Sequence, residues 1–240
     1  MRKYNITCII PARKNSKGLI NKNIKKINGK ELILYPFEVA QKSKYIENII
    51  FTSDSKKYIN IINKNIFNKK KNFFFIHRPR TLSKDKTLTS SVIIHSLQTC
   101  FPKTTHIVLL EPTSPLTQTK DIDKAIQILI RKSKKADSII SVISNFKFSS
   151  SYDIKISRNN FCTFKKDIIK RRQKIKKNFY LSGNFYISKK KSFFQYKSFY
   201  TKKTLAYEVP RNCYTDIDDK TDLVIARSLY DQFILKKNEF

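Results

Sequence analysis

Glycine is nearly missing from this 240-residue chain, which has only Gly18, Gly29 and Gly183. The GxxxxGK[ST] spacing of a Walker A loop is absent, so that way of holding a nucleotide is excluded. A chain this sparing with glycine is expected to keep each one where the backbone requires it. Cysteine is also scarce. Cys8, Cys100, Cys162 and Cys213 stand far apart with no CxxC pair, which argues against a clustered metal site and a disulfide scaffold. No apolar run approaches membrane-spanning length, and the stretch after Met1 is too short for a signal peptide. The expectation is a cytoplasmic protein without a membrane partner. Acidic residues are few, 18 against 50 Lys and Arg, for a formal net charge of +32. The lysines are spread along the whole chain and form no single basic arm, as coding bias in an A/T-rich genome would produce. A nucleic-acid partner is therefore not expected, although the charge would still draw in small anions.

What is present reads as one globular domain over 1–240, with 40% apolar residues. Apolar runs at 6–10, 49–53, 73–76, 106–110 and 138–143 predict strands, and the segments at 32–42, 56–64, 88–100 and 122–132 predict helices between them. Asp121 is the expected N-cap of the last. Such alternation predicts an α/β fold with a mostly parallel central sheet. The pattern lapses between 145 and 178, which reads as an inserted arm. It returns at 179–187, and a helix at about 220–235 closes the chain.

Two clusters carry chemistry on their own. After the first strand, Pro11-Ala12-Arg13-Lys14-Asn15-Ser16-Lys17-Gly18 forms a cationic loop at a strand's carboxyl end, where open α/β sheets bind ligands. Near the other end, Asp216-Ile217-Asp218-Asp219 stands out in a chain so poor in acid. Residues two apart in extended backbone share a side, so Asp216 and Asp218 can converge on one cation, and their oxygens suit Mg²⁺. Asp219 and Asp222 read as helix-capping residues. His77, His95 and His106 are isolated and read as structural. Ser16 and Ser114 have no paired histidine and acid, so nucleophilic catalysis is not expected.

The loop resembles that of the acylneuraminate cytidylyltransferase (CMP-sialic acid synthetase) family, with Ala12, Arg13, Ser16, Lys17, Gly18, Lys22 and Asn23 at matching positions. The likeness continues through Arg78-Pro79 with Leu82, Asp85 and Thr89, then Pro112-Thr113-Ser114-Pro115-Leu116, Arg171-Arg172-Gln173 and Asp216-Ile217-Asp218. The resemblance implies a Rossmann-like nucleotidyltransferase fold and a homodimer built partly by a dimerisation arm at 145–180. It implies that Arg13, Ser16, Lys17, Gly18, Lys22, Asn23, Arg78 and Thr89 bind CTP. Arg13, Lys17 and Asp218 are the implied catalytic residues, and Asp216 and Asp218 the Mg²⁺ ligands. Glu111, Arg172, Ser182 and Gly183 are implied to hold a nine-carbon sugar acid. Three positions depart from the family pattern. Glu111 stands where many members have glutamine, Ser182 replaces an asparagine, and Tyr180 replaces an arginine of some relatives.

The implied reaction is CMP transfer from CTP to the 2-hydroxyl of a nonulosonic acid, either N-acetylneuraminate or a relative such as legionaminate or pseudaminate. A Kdo cytidylyltransferase is the nearest alternative. Its Ser-Ser-Arg-Leu-Pro-Gly-Lys loop and Gly-Asp-Glu-Pro segment are both absent here. A basic nucleic-acid-binding protein is the alternative from another class, and the chain has no groove-reading motif.

Overall fold

The computed structural model describes residues 4–14, 16, 18–100, 103–145, 154–156, 161–164 and 178–235. The expected strands form at Ile6–Pro11 (β1), Ile46–Ser53 (β4), Asn72–His77 (β5), His106–Leu109 (β6) and Ser138–Asn145 (β7). Between β1 and β4 lie a two-residue hairpin, Lys26–Ile27 (β2) with Lys30–Glu31 (β3), and helix Leu34–Lys42 (α1). The other expected helices form at Lys56–Asn63 (α2), Thr89–Cys100 (α3), Thr119–Arg131 (α4) and Lys220–Tyr230 (α6). From the arm region, Ile154–Ile156 (β8) pairs antiparallel with Cys162–Phe164 (β9).

The central sheet has seven strands, in the order β11-β7-β10-β6-β1-β4-β5. Here β10 is Asn178–Lys189 and β11 is Thr204–Glu208, with the short helix α5, Lys190–Tyr196, between them. Five strands and β11 keep parallel neighbours where they pair with one another. By contrast β10 runs antiparallel to both β6 and β7. Neither β11 nor α5 was expected from the pattern.

One expectation needs correcting. Helix α4 begins at Thr119 with Gln118 at the N-cap, so Asp121 lies inside the first turn. Its carboxylate accepts a hydrogen bond from the Tyr207 hydroxyl on β11 at 2.9 Å, a partner that local pattern cannot foresee.

Side chains alternate across β1 and β4 and divide the core in two. Ile6, Cys8 and Ile10 pack with Ile49 and Phe51 against α1, α2 and α4, around Phe37, Tyr58, Ile62 and Ile126. Ile9 and Ile50 face the other way, against Ile93 and Leu97 of α3 and Phe193 of α5. Both faces of the sheet are thus covered, which explains why its strands read as unbroken apolar runs.

A third, smaller core positions the site. Leu19, Ile27, Leu32 and Tyr35 pack against Ile217, Leu223 and Ala226. This clamps the loop after β1 to the segment before α6. That segment ends in a capping box: the Asp219 carboxylate accepts from the Asp222 amide at 2.9 Å, and Asp222 accepts back from the amide of Asp219. Caps of this kind stabilise a helix by about 1 kcal/mol.

Candidate active site

The site lies at the carboxyl ends of β1, β4, β5 and β6. The loop after β1 is braced from two sides. The Asn23 side-chain amide donates to the Arg13 carbonyl at 2.8 Å, and the Lys14 amide donates to Asp54 at 2.7 Å. Asn23 is itself buried, so it acts here as a strut beneath the loop. Asp54 directly follows β4, and its carboxylate braces the loop from that side.

Arg13 opens onto a hollow of about 270 Å³ lined also by Arg78, Leu82, Lys84, Asp85, Thr87, Thr89 and Glu111. Its guanidinium is ion-paired with Asp85 across 72 residues of sequence. Arg78 is buried, and its Nε donates to the Ser83 hydroxyl at 3.2 Å. Burial pulls the Arg78 pKa down, Asp54 opposes the fall, and Arg13 adds to it. Two arginines facing one hollow between two aspartates make an anion-binding wall whose cations are already placed.

A second hollow, of about 260 Å³, shares Thr89 and Glu111 with the first. Leu109, Tyr186, Phe193 and Phe199 form apolar walls, and Lys197, Ser198 and Tyr200 supply polar groups. The Tyr186 and Phe199 rings sit 5.6 Å apart, and Phe193 and Phe199 4.8 Å apart. These aromatics carry no local signal of a site, because a strand tyrosine and two nearby phenylalanines look like ordinary core. The carboxylate separating the two hollows, Glu111, was identified.

The acidic pair approaches from the C-terminal segment. Burial alternates residue by residue over 213–218, so Asp216 and Asp218 do share the outward side. The Lys22 ammonium donates to the Ile217 carbonyl at 2.7 Å and to Asp218 at 3.0 Å. Gly18 reaches the same segment: a Cβ there would lie 2.4 Å from the Asp218 carbonyl oxygen. Gly183 has φ +71°, a conformation that side-chain-bearing residues rarely adopt, and sits on a register shift of β10. Its carbonyl accepts from the Ser114 hydroxyl at 3.1 Å, and a Cβ there would come within 3.9 Å of an Asp216 oxygen. Ser182 is buried beside it, and its hydroxyl has no hydrogen-bond partner among the described residues. Lys17 and Arg172 lie outside the described residues. None of the three histidines lines either hollow.

The electrostatics are crowded with negative charge. The Glu111 carboxyl is pushed up to about 7, first by burial and then by Asp216, with Asp218 adding to the rise and Lys22 opposing it. Asp216 is raised too, by loss of surrounding water and then by Asp218, against the hydrogen bond from Thr113 and the charge of Lys22. Glu111 therefore has a pH signature in stability. In the unfolded chain it ionises near 4.5; in the folded chain it holds its proton to about 7. Between those values the folded state binds the extra proton, so stability falls as pH rises from about 4.5 to 7 and then levels. Glu111→Gln is expected to flatten that slope and to be more stable at pH 8, by up to about 3 kcal/mol. Urea unfolding of both proteins at pH 5 and pH 8 checks this; equal slopes would show that Glu111 is not held neutral.

A cationic strand-end loop, a cation-walled hollow and an aromatic hollow on an α/β sheet suit a protein of the nucleotide-handling class. The comparisons with known proteins narrow that class: residues 7–230 match the Cytidylyltransferase family model, and the chain belongs to that family. It is 31% identical over 166 residues to an N-acylneuraminate cytidylyltransferase of Escherichia coli, covering 65% of this chain and 38% of that protein. It is 28% identical over 228 residues to a pseudaminic acid cytidylyltransferase of Campylobacter jejuni, covering 93% of this chain and 95% of the relative. The fold superposes on a solved CMP:2-keto-3-deoxy-manno-octonic acid synthetase complexed with CTP at TM-score 0.64. That match has 12% identity and covers 95% of this chain and 99% of the other. Among the described residues no helix is long and apolar enough to cross a membrane.

Proposed function

We propose that the protein transfers CMP from CTP to the 2-hydroxyl of a nonulosonic acid, either N-acetylneuraminate or a relative such as legionaminate or pseudaminate, in the cytoplasm. The observation that carries this reading is the pair of hollows sharing Thr89 and Glu111. The cation-walled one suits a nucleotide. The aromatic one suits a sugar bearing apolar acyl groups beside its polar ones. The names of the relatives support the same pairing.

In this reading the oxygen of the 2-hydroxyl attacks the α-phosphorus in line, and the hydroxyl proton is given up to solvent. The new bond forms there as the bond from the α-phosphorus to the bridging oxygen breaks, and pyrophosphate leaves. Arg13, Lys17 and Lys22 stabilise the charge that grows on the phosphates. Arg78 places its fixed donors against the acceptor edge of cytosine. Glu111 accepts from a sugar hydroxyl or amide at the junction, and Arg172 pairs with the sugar carboxylate.

The donor chemistry fits a hard divalent cation. Asp216 and Asp218 offer oxygens on one side, and the mutual repulsion of three carboxylates is a charge that such an ion relieves. Among the described residues no three His, Cys, Asp or Glu side chains gather as a complete metal-binding group. Two aspartates with waters and phosphate oxygens are the shell Mg²⁺ commonly accepts. When bound, Mg²⁺ would supply charge neutralisation at the phosphates.

The protein is further proposed to act as a homodimer. Phe179, Tyr180 and Leu181 of β10 are exposed, as are Ile156 and Phe161 earlier in the chain. Large apolar side chains left open to solvent in this number suit burial against a second copy.

Purified protein should release pyrophosphate from CTP and Mg²⁺ with one nine-carbon acid out of N-acetylneuraminate, legionaminate and pseudaminate, and not with Kdo. Release with Kdo alone would overturn the assignment of substrate. CTP binding with no release in any mixture would count against all four acids.

A further inference from the structure

The proposed function leaves one group in the nucleotide hollow unexplained. Asp85 puts a carboxylate where a triphosphate is to bind, in contact with Arg13. Taken alone, an acid there repels the ligand. It does not earn its place through fold stability either, because both partners of the Arg13–Asp85 pair are about a third or more exposed, at 34% and 41%. Ion pairs this open to solvent stabilise a fold hardly at all.

The geometry points to Asp85 as a positioning residue that holds the Arg13 guanidinium in its working orientation before substrate arrives. This rests on the reading of Arg13 as a phosphate-stabilising group. The backbone at Arg13 is already pinned, by Asn23 at its carbonyl and by Asp54 at the next amide. What remains loose is the side chain, with four rotatable bonds and many conformers to lose. Asp85 removes that freedom. It stands on a tight turn closed by the Thr87 amide donating to the Lys84 carbonyl at 3.1 Å, directly ahead of α3. The loop after β1 and the turn before α3 come from separate parts of the chain, and folding brings the Asp85 carboxylate against the Arg13 guanidinium. A donor already oriented in the site does not have to be reorganised during the reaction, which is where such electrostatic stabilisation gains its effect.

Repulsion and positioning act on different quantities, so the role can be tested. Removing the Asp85 charge takes an anion away from the triphosphate, so CTP should bind as well as before or more tightly. Turnover should fall, because Arg13 is no longer held. A residue that merely shaped the hollow would weaken both together.

The experiment is a double-mutant cycle of Arg13→Ala, Asp85→Asn and the pair, in the full-length protein. The CTP dissociation constant and turnover with the accepted sugar acid are measured for each. Asp85→Asn is expected to cost about tenfold in turnover in the presence of Arg13 and less than about twofold in its absence. CTP affinity should be unchanged or higher. Asp85→Glu, which keeps the charge on a longer stem, should recover part of the turnover, and this guards against a misfolded Asn variant. The proposal is overturned if Asp85→Asn weakens CTP binding in step with turnover, or if its cost is the same with and without Arg13. If the wild-type protein transfers to none of the acids, the assigned substrate fails, yet the cycle remains readable on bound CTP. The ³¹P resonance of the α-phosphorus should then move on Asp85→Asn when Arg13 is present and stay put when it is not. A shift in both backgrounds, or in neither, overturns the positioning role.

Discussion

Asp218→Asn is expected to lower turnover by about a hundredfold to a thousandfold while changing CTP affinity by less than about threefold. The separation follows from what surrounds the carboxylate. Asp218 and Asp216 repel each other, and both raise Glu111. Converting one of the three to an amide lets Asp216 ionise more easily and takes an anion away from the incoming triphosphate. The Lys22 ammonium keeps its bond to the Ile217 carbonyl, so it stays held in place for the phosphate role proposed for it. Ground-state binding should therefore survive. What is lost is one of the two carboxylate charges proposed to hold a divalent ion, and the Mg²⁺ concentration for half-maximal activity should rise accordingly. Pyrophosphate release across a Mg²⁺ titration, beside CTP binding by calorimetry, checks both statements. Near-normal turnover at ordinary Mg²⁺ would remove Asp218 from the metal site.

The second large effect is expected at Gly18→Ala. A methyl there would lie 2.4 Å from the Asp218 carbonyl oxygen, well inside any contact that carbon and oxygen tolerate. Both groups are backbone, so neither can turn away. Both segments are also pinned by the small core, through Leu19 on one side and Ile217 on the other. The strain must then be relieved by parting the cationic loop from the acidic segment. Overpacking of this kind costs about 1–3 kcal/mol, and a displacement of about 1 Å at a catalytic group costs about a hundredfold in rate. The melting temperature should fall by several degrees, and kcat/KM by about two orders of magnitude. Gly29→Ala is the control. Gly29 has φ +74° and open space around it, so alanine there strains the backbone without touching the site. That variant should lose stability and keep its kcat/KM. Equal losses of activity in the two would mean that the close approach at Gly18 is not what matters.

Much of the fold was legible in the sequence because burial leaves a local mark. Strands covered on both faces read as unbroken apolar runs, and all five expected ones form. Strand β11 was missed because Thr204–Glu208 lies at the sheet edge with only partly buried residues, so its run is weak. Helix α5 was missed because seven residues beginning with lysines hold too little periodicity. The antiparallel course of β10 leaves no local mark either, since the direction of a strand depends on where its neighbours lie.

The site divides in the same way. Arg13, Asp216 and Asp218 stood out by their own chemistry, whereas Lys22, Arg78, Thr89 and Glu111 were implied only by the family resemblance; the structure gathers Arg13, Arg78, Thr89 and Glu111 around one hollow. Asn23 was implied by the resemblance as well, though its buried amide proves to brace the Arg13 carbonyl. The aromatic hollow was hidden, because Tyr186, Phe193 and Phe199 are indistinguishable from core until the chain folds around them.

By itself, then, the sequence determined the alternating α/β order, the cationic loop and the acidic pair, since each rests on neighbours within a few residues. Tertiary structure alone decided that Asp85 meets Arg13, that Gly18 touches Asp218 and that Asp121 serves Tyr207 rather than its own helix end. Those contacts join residues far apart in the chain. No local propensity encodes them, and they exist only once the buried sheet has brought the loops to one edge.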